Sequence, residues 1–218
     1  MKNEALYRGA QFVLSAPGLA ELPPDTGAEA AFAGRSNVGK SSVLNTLTDN
    51  KKLARTSGTP GRTQMINLFR VTDEARLVDL PGFGYAKVPE AMRRRWQQVL
   101  PEYLSTRRSL AGVVLIMDVR HAPAELDLRM LEWCAHAGLT VHGVLTKADK
   151  LKRGAARRRL NDVATTLGKL PDMPPSLTLQ LFSAVTGEGV EELRTVLDRW
   201  LGLLTETAES PDATDGTL

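Results

Sequence analysis

The stretch Gly34-Arg35-Ser36-Asn37-Val38-Gly39-Lys40-Ser41-Ser42 decides the fold. It carries the pattern G-x-x-x-x-G-K-S of a phosphate-binding loop. The glycines let the main chain turn tightly, so that successive N–H groups converge on phosphate oxygens. Lys40 is placed to reach the β and γ phosphates, and the Ser41 hydroxyl to ligate Mg2+. The apolar residues just before, Ala30 to Ala33, read as a short strand. Just after, Val43, Leu44 and Leu47 share one face of a helix, whose N-terminal dipole adds to the attraction for an anion. Strand, glycine loop and helix in this order predict a nucleoside triphosphate site, without choosing between ATP and GTP.

Outward from this loop the chain alternates between strand and helix patterns. Lys51 to Thr63 has no stable period and is rich in Gly, Thr and Lys, so it is expected to be a long mobile loop. Met65 to Val71 and Ala75 to Asp79 read as strands joined by a turn at Thr72-Asp73-Glu74. Gly112 to Met117 and Val141 to Leu145 are continuous apolar runs, as in strands buried on both faces. Leu179 to Phe182 reads as the last strand. Helical patterns cover Met92–Leu104, Ala124–His136, Ala155–Leu167 and Val190–Leu203. The expected architecture is α/β in three layers: a mainly parallel sheet flanked by helices on both faces. In such sheets ligands sit at the carboxyl ends of the strands.

Three further elements choose the base. Asp79-Leu80-Pro81-Gly82 follows a predicted strand. There the Asp79 carboxylate is placed to hold Mg2+ through water, and the Gly82 N–H to contact a γ-phosphate. Alone this would be an ordinary turn. Thr146-Lys147-Ala148-Asp149 ends the apolar strand Val141–Leu145. The Asp149 carboxylate can accept hydrogen bonds from guanine N1–H and the exocyclic amine, while the Lys147 stem lies along the base. Adenine offers no matching donor pair, so Asp149 would stay unpaired against ATP. Phe182-Ser183-Ala184 closes the last strand, where backbone N–H groups of Ser183 and Ala184 are placed to meet guanine O6. In the loop Gly61-Arg62-Thr63-Gln64-Met65, Thr63 is expected to close over Mg2+ because it directly precedes a strand; Thr59 is the alternative. Lys40, Thr63 and Gly82 are the expected catalytic contacts, and GTP and GDP the expected ligands.

The ordered set resembles the translation-factor-like GTPases. Ras-type members of that class set a glutamine after Asp-x-x-Gly to orient water; here that position is Phe83, so hydrolysis is expected to be slow or assisted. Asn37 stands three residues before Lys40, where the TrmE–Era class carries a cation-ligating asparagine. The resemblance implies K+ there, placing positive charge where an arginine finger otherwise works.

The resemblance narrows further. GRSNVGKSSVLN, TSGTPGRTQMINLF, DLPGFGYAKV, MDVRHAPAELDLRMLEW, LTKADKLKRG and FSAVTGEGVEEL together look like the EngB family of bacterial GTPases, from about Phe12 to Leu204. The departures are Phe83, where the family usually has tyrosine, and a looser lead-in, PPDTGAEAAFAG. The resemblance implies one GTPase domain over residues 1–204 that acts as a switch in assembly of the large (50S) ribosomal subunit. It also implies a requirement in cell division and septation. The alternative is a non-ribosomal cell-division interaction module set by GTP and GDP. A monomer is expected.

Composition agrees with these expectations. The 218 residues suit one domain, and 42% hydrophobic with 24% charged residues is ordinary for a globular chain. No apolar run reaches membrane-spanning length, and the N-terminus makes a poor secretory signal. The single Cys134 excludes an intramolecular disulfide and a cysteine-built metal site. A cytoplasmic location is expected. The chain carries +3, yet residues 205–218 hold four acids and no base, so residues 1–204 carry 28 − 21 = +7. This tail reads as disordered. The basic body points to a polyanion; the resemblance makes ribosomal RNA the expected one, and DNA is not expected. Arg93–Arg95, Arg107–Arg108, Lys150–Arg153 and Arg157–Arg159 are the candidate phosphate contacts. His121, His136 and His142 lack metal-ligand spacing. His121 is expected to order a loop, Cys134 to pack in the core, and Trp96, Trp133 and Trp200 to pack on helix faces.

Overall fold

The computed structural model describes residues 3–54, 65–82 and 90–204. Within them the seven strands are β1 (Gln11–Ala16), β2 (Ala28–Gly34), β3 (Ile66–Arg70), β4 (Ala75–Asp79), β5 (Leu110–Asp118), β6 (Val141–Thr146) and β7 (Leu177–Leu181). The helices are α1 (Glu4–Arg8), α2 (Lys40–Leu47), α3 (Glu90–Thr106), α4 (Glu125–His136), α5 (Arg153–Leu167) and α6 (Val190–Trp200). The sheet order is β1-β3-β4-β2-β5-β6-β7. β4, β2, β5, β6 and β7 run parallel, while β1 and β3 join antiparallel. The expected mainly parallel α/β fold is therefore the observed one.

Side-chain alternation sorts the helices between the faces. Ala31, Ala33, Val113, Leu115 and Met117 point to one side, against Tyr103 of α3, Leu131 and Cys134 of α4, and Val163 and Leu167 of α5. Ala30, Phe32, Val114 and Ile116 point to the other, against Tyr7 of α1, Val43, Leu44 and Leu47 of α2, and Leu193 and Leu197 of α6. An eight-residue helix such as α2 is marginal alone. Its three fully buried side chains contribute about 1.5–3 kcal/mol each, which holds it on the sheet. Cys134 is fully buried, and burial pushes its thiol up to about 12.

The N-terminal elements were not legible from periodicity. β1 is an edge strand that is mostly exposed on both faces, with Phe12 and Val13 largely open, and it carries a bulge between Phe12 and Leu14. A strand without one buried face shows no period of two. α1 is fixed by Tyr7, whose hydroxyl donates to Asp198 Oδ1 of α6 at 2.8 Å.

The looser lead-in to the phosphate loop is tied by charge. Glu29, fully buried at the start of β2, accepts from Arg107 Nη2 at 2.6 Å, Arg76 Nε at 3.1 Å and the Tyr103 hydroxyl at 3.2 Å. Arg107 Nη1 also donates to Pro23 O at 3.0 Å. Arg107 is therefore a structural ion-pair partner, which corrects its expected role as a phosphate contact. Arg108 stays exposed, 3.4 Å from Asp25. The side chains of Arg93–Arg95 lie outside the described residues.

Candidate nucleotide-binding site

β2 delivers the chain to the glycine loop and α2 carries it away, so residues 35–39 bridge the carboxyl end of a central strand. Asn37 and Gly39 have left-handed backbone, with φ of 66° and 106°. Gly34 is needed for space: a Cβ there would stand 2.7 Å from the Ile116 carbonyl oxygen of β5. Lys40, Ser41 and Ser42 form the first turn of α2, where helix N–H groups lack intrahelical acceptors and face outward. The cradle therefore presents backbone donors at a positive dipole end.

Lys40 and Asp79 meet directly, because Asp79 ends β4 in register with Phe32 of neighbouring β2. Both side chains are nearly buried, and each neutralises the other. Leu80 N–H donates to Phe32 O at 3.0 Å and carries buried Pro81 and then Gly82 across the loop. A Cβ at Gly82 would lie 3.4 Å from Ser36 Oγ, so this backbone passes close over the cradle. Ser41, next to the lysine that Asp79 holds, and Asp79 itself offer the hard oxygen donors that Mg2+ takes. These residues fit the ion. Gly61, Arg62, Thr63, Gln64, Phe83 and the alternative Thr59 lie outside the described residues. Met65, just before β3, is half exposed.

The base end is fastened to the phosphate end. Buried Thr146 donates its hydroxyl to the Val38 carbonyl, and Gly39 lies against its side chain. Lys147, with left-handed φ of 62°, donates from Nζ to Asn37 O at 2.7 Å and pairs with Asp118 at 2.9 Å. Ala148 N–H donates to Phe182 O at 3.1 Å, joining this loop to the one after β7. There Ser183 Oγ donates to Asp149 Oδ1 at 2.8 Å and accepts from the N–H groups of Val185 and Thr186, both at 3.2 Å. The Ser183 hydrogen bond holds the Asp149 carboxyl below its usual value, so it stays ionised and ready to accept. One detail corrects the sequence-based expectation. The Ser183 N–H is spent on Glu188 O at 3.0 Å, so of the two amides expected to face guanine O6, Ala184 N–H is the one left open among the described residues.

Two acidic residues were missed from sequence. Asp118 ends β5 and takes Arg120 Nε at 2.9 Å and Nη2 at 2.7 Å as well as Lys147. Burial raises its carboxyl, but these bonds outweigh it and hold it well below the usual range. A charged residue closing an apolar run at the sheet's carboxyl edge was the available signal. Asp127, fully buried in the first turn of α4, accepts from Ala124 N–H at 2.9 Å and from Arg35 Nε at 3.1 Å. Arg35 thus turns its side chain to α4, leaving its main chain for the cradle. His121 is exposed, its N–H on Asp118 O at 3.0 Å. His142 is buried in the sheet between Thr178 and Gln180, each 2.7 Å away.

Residues 29–147 match a family model described as "50S ribosome-binding GTPase". A probable GTP-binding protein EngB from Nitrosococcus oceani is 55% identical over 199 residues, covering 91% of this chain and 98% of its own. The relative of that name from Escherichia coli O139:H28 is 51% identical over 94% of this chain and 97% of its own. Among solved structures, a probable GTP-binding protein EngB superposes over 81% of this chain and all of its own, with TM-score 0.66 and 23% identity. Era from Aquifex aeolicus, a variant bound to GDP and AlF4−, covers 81% of this chain and 57% of its own, with TM-score 0.60 and 17% identity; these two likenesses speak to the fold. Identity above half across nearly the full length of the sequence relatives goes beyond shared fold, and this chain belongs to the EngB family of GTP-binding proteins.

Proposed function

We propose that this GTP-binding protein hydrolyses GTP as a switch in assembly of the large ribosomal subunit, acting in the cytoplasm as a single GTPase domain over residues 1–204. The observation that carries it is the joining of a phosphate cradle to a base-reading carboxylate just beyond it, in a chain whose residues 29–147 match a family described as ribosome-binding. No helix among the described residues is long and apolar enough to cross a membrane. Asp149 reads guanine, and Lys40 leaves Asp79 for the β and γ phosphates as nucleotide enters. Gly82 N–H contacts the γ-phosphate, and Thr63 closes the site. Ser41 and Thr63 would hold Mg2+, with Asp79 through water; the ion would supply positive charge that neutralises the phosphates.

Hydrolysis is slow without help, because Phe83 cannot orient water. Support for K+ assistance comes from Asn37: its side chain is exposed and makes no hydrogen bond among the described residues, so it is not spent on ordering the loop. Turnover should rise in K+ over Na+ at equal ionic strength; equal rates, unchanged by Asn37→Ala, would remove K+ from the scheme. For the switch, purified protein is co-sedimented with large-subunit precursors, with GDP and with a non-hydrolysable GTP analogue. Precursor binding in the GTP-like state alone is expected. Absence of binding in either state would favour the non-ribosomal division module instead.

A further inference from the structure

We infer that the exposed face of α5 is a docking surface for the phosphate backbone of double-stranded RNA. This rests on the ribosomal reading above for the choice of RNA over DNA; the cationic surface itself rests on geometry. Lys152, Arg153, Arg157 and Arg158 are all exposed, and none has a carboxylate within ion-pair distance among the described residues. Several arginines elsewhere in the fold are paired: Arg35, Arg76, Arg107, Arg120 and Arg194 each hold an acid.

The placement runs against local stability. α4 and α6 set acids in their first turns, Glu125 and Asp127 in one and Glu191 and Glu192 in the other. α5 has no acid in its first turn and opens with Lys152 and Arg153. Cations at that end oppose the helix dipole, and a bound anion would offset them. Arg153 and Arg157 sit one turn apart, about 6 Å along the axis. Arg158 folds back over the first turn, its Nη1 3.7 Å from where a Cβ at Gly154 would be. This brings its guanidinium toward the end of the helix that Lys152 and Arg153 occupy, and the charges gather on one patch.

The chemistry of the patch selects among polyanions. Guanidinium groups bind phosphate with two parallel N–H bonds. The helix has no aromatic residue, so it offers no platform for unpaired bases. The exposed large apolar residues, among them Phe12 and Val185, lie on other elements, so α5 has no anchor for a lipid surface. What is left is recognition of a duplex backbone by shape and charge. Arg153 follows closely on Asp149, so this surface borders the base-reading loop.

The test uses the full chain with GDP, a fluorescent RNA hairpin duplex, and salt varied from about 50 to 200 mM. The variant Arg153→Gln/Arg157→Gln/Arg158→Gln keeps helix-forming side chains and removes three charges. Its slope of log affinity against log salt should be shallower by about two to three, near 0.9 for each lost phosphate contact. GDP affinity should be unchanged, which shows that the variant folds and that the nucleotide site is intact. An unchanged slope, equal affinity for a DNA duplex, or equal binding to phosphatidylserine vesicles would overturn the inference. If the variant still co-sediments with precursors like the parent, α5 is not the docking surface, although the ribosomal reading stands. If the parent binds duplex RNA through α5 but not precursors, the surface stands and the ribosomal reading fails.

Discussion

Replacing Asp149 with asparagine should exchange one purine for another. The carboxylate stands at the mouth of the base loop, its side chain 13% exposed. On the proposed reading it accepts from guanine N1–H and the exocyclic amine. Hydrogen bonds to a charged acceptor contribute about 1.5–3 kcal/mol each, so two amount to about 3–6 kcal/mol. At 1.4 kcal/mol per decade, GTP affinity should fall on the order of 100- to 10,000-fold. The loop itself should survive. Ser183 Oγ can still donate to the amide oxygen, and its bonds from Val185 and Thr186 N–H do not involve Asp149. Xanthine carries a carbonyl where guanine carries the amine, so the new amide can donate to it. Titration with fluorescent GDP and xanthosine diphosphate measures both effects, with thermal melting as the control for folding. GDP affinity within threefold of the parent would refute the assignment of Asp149 to the base.

Three further outcomes follow from named contacts. Glu29→Gln leaves the Arg76 and Arg107 guanidiniums without their buried counter-charge, and should destabilise by about 3–5 kcal/mol, read by urea unfolding. Gly34→Ala forces a methyl to 2.7 Å from Ile116 O and 3.1 Å from Val38 Cγ2; thermal melting should show a loss of about 1–3 kcal/mol, together with weaker GDP binding. His142 is held neutral by burial, with its titration below the ordinary value, so the unfolded chain takes up this proton first as pH falls. Its contribution to stability is full above about pH 6.5 and is lost as pH drops below that. Urea midpoints at pH 7.5 and 5.5 should therefore differ more in the parent than in His142→Gln.

Local structure was legible in the sequence, and long-range pairing was not. The loop from Gly34 to Ser42 combines a strand end, a turn and a helix start, so every signal it needs lies within a few residues. The same holds for Thr146 to Asp149, which closes a continuous apolar run. Arg107 shows the limit: beside Arg108 it reads as one basic cluster, yet one side chain is buried on Glu29 and the other is open to solvent. Nothing within the cluster separates them, because the deciding partner is 78 residues away. Asp127 was hidden for the same reason, its partner Arg35 being supplied by another strand end; Asp118 has one partner close by, Arg120, and one far along the chain, Lys147. Edge strand β1 was hidden by exposure, since water on both sides erases the pattern that marks buried strands.

The bonds from Lys147 to Asn37 O and from Thr146 to Val38 O have a consequence for ligand affinity. They tie the loop proposed to read the base to the phosphate loop. A nucleotide then behaves as a chelating ligand on a preorganised host. Once its base is seated, its phosphates meet their donors at high effective concentration, because the separation is already set. Guanosine and pyrophosphate supplied as separate pieces should bind weakly, and far below what the intact diphosphate achieves. Affinity for the whole nucleotide thus depends on the covalent link between its ends as much as on either end alone.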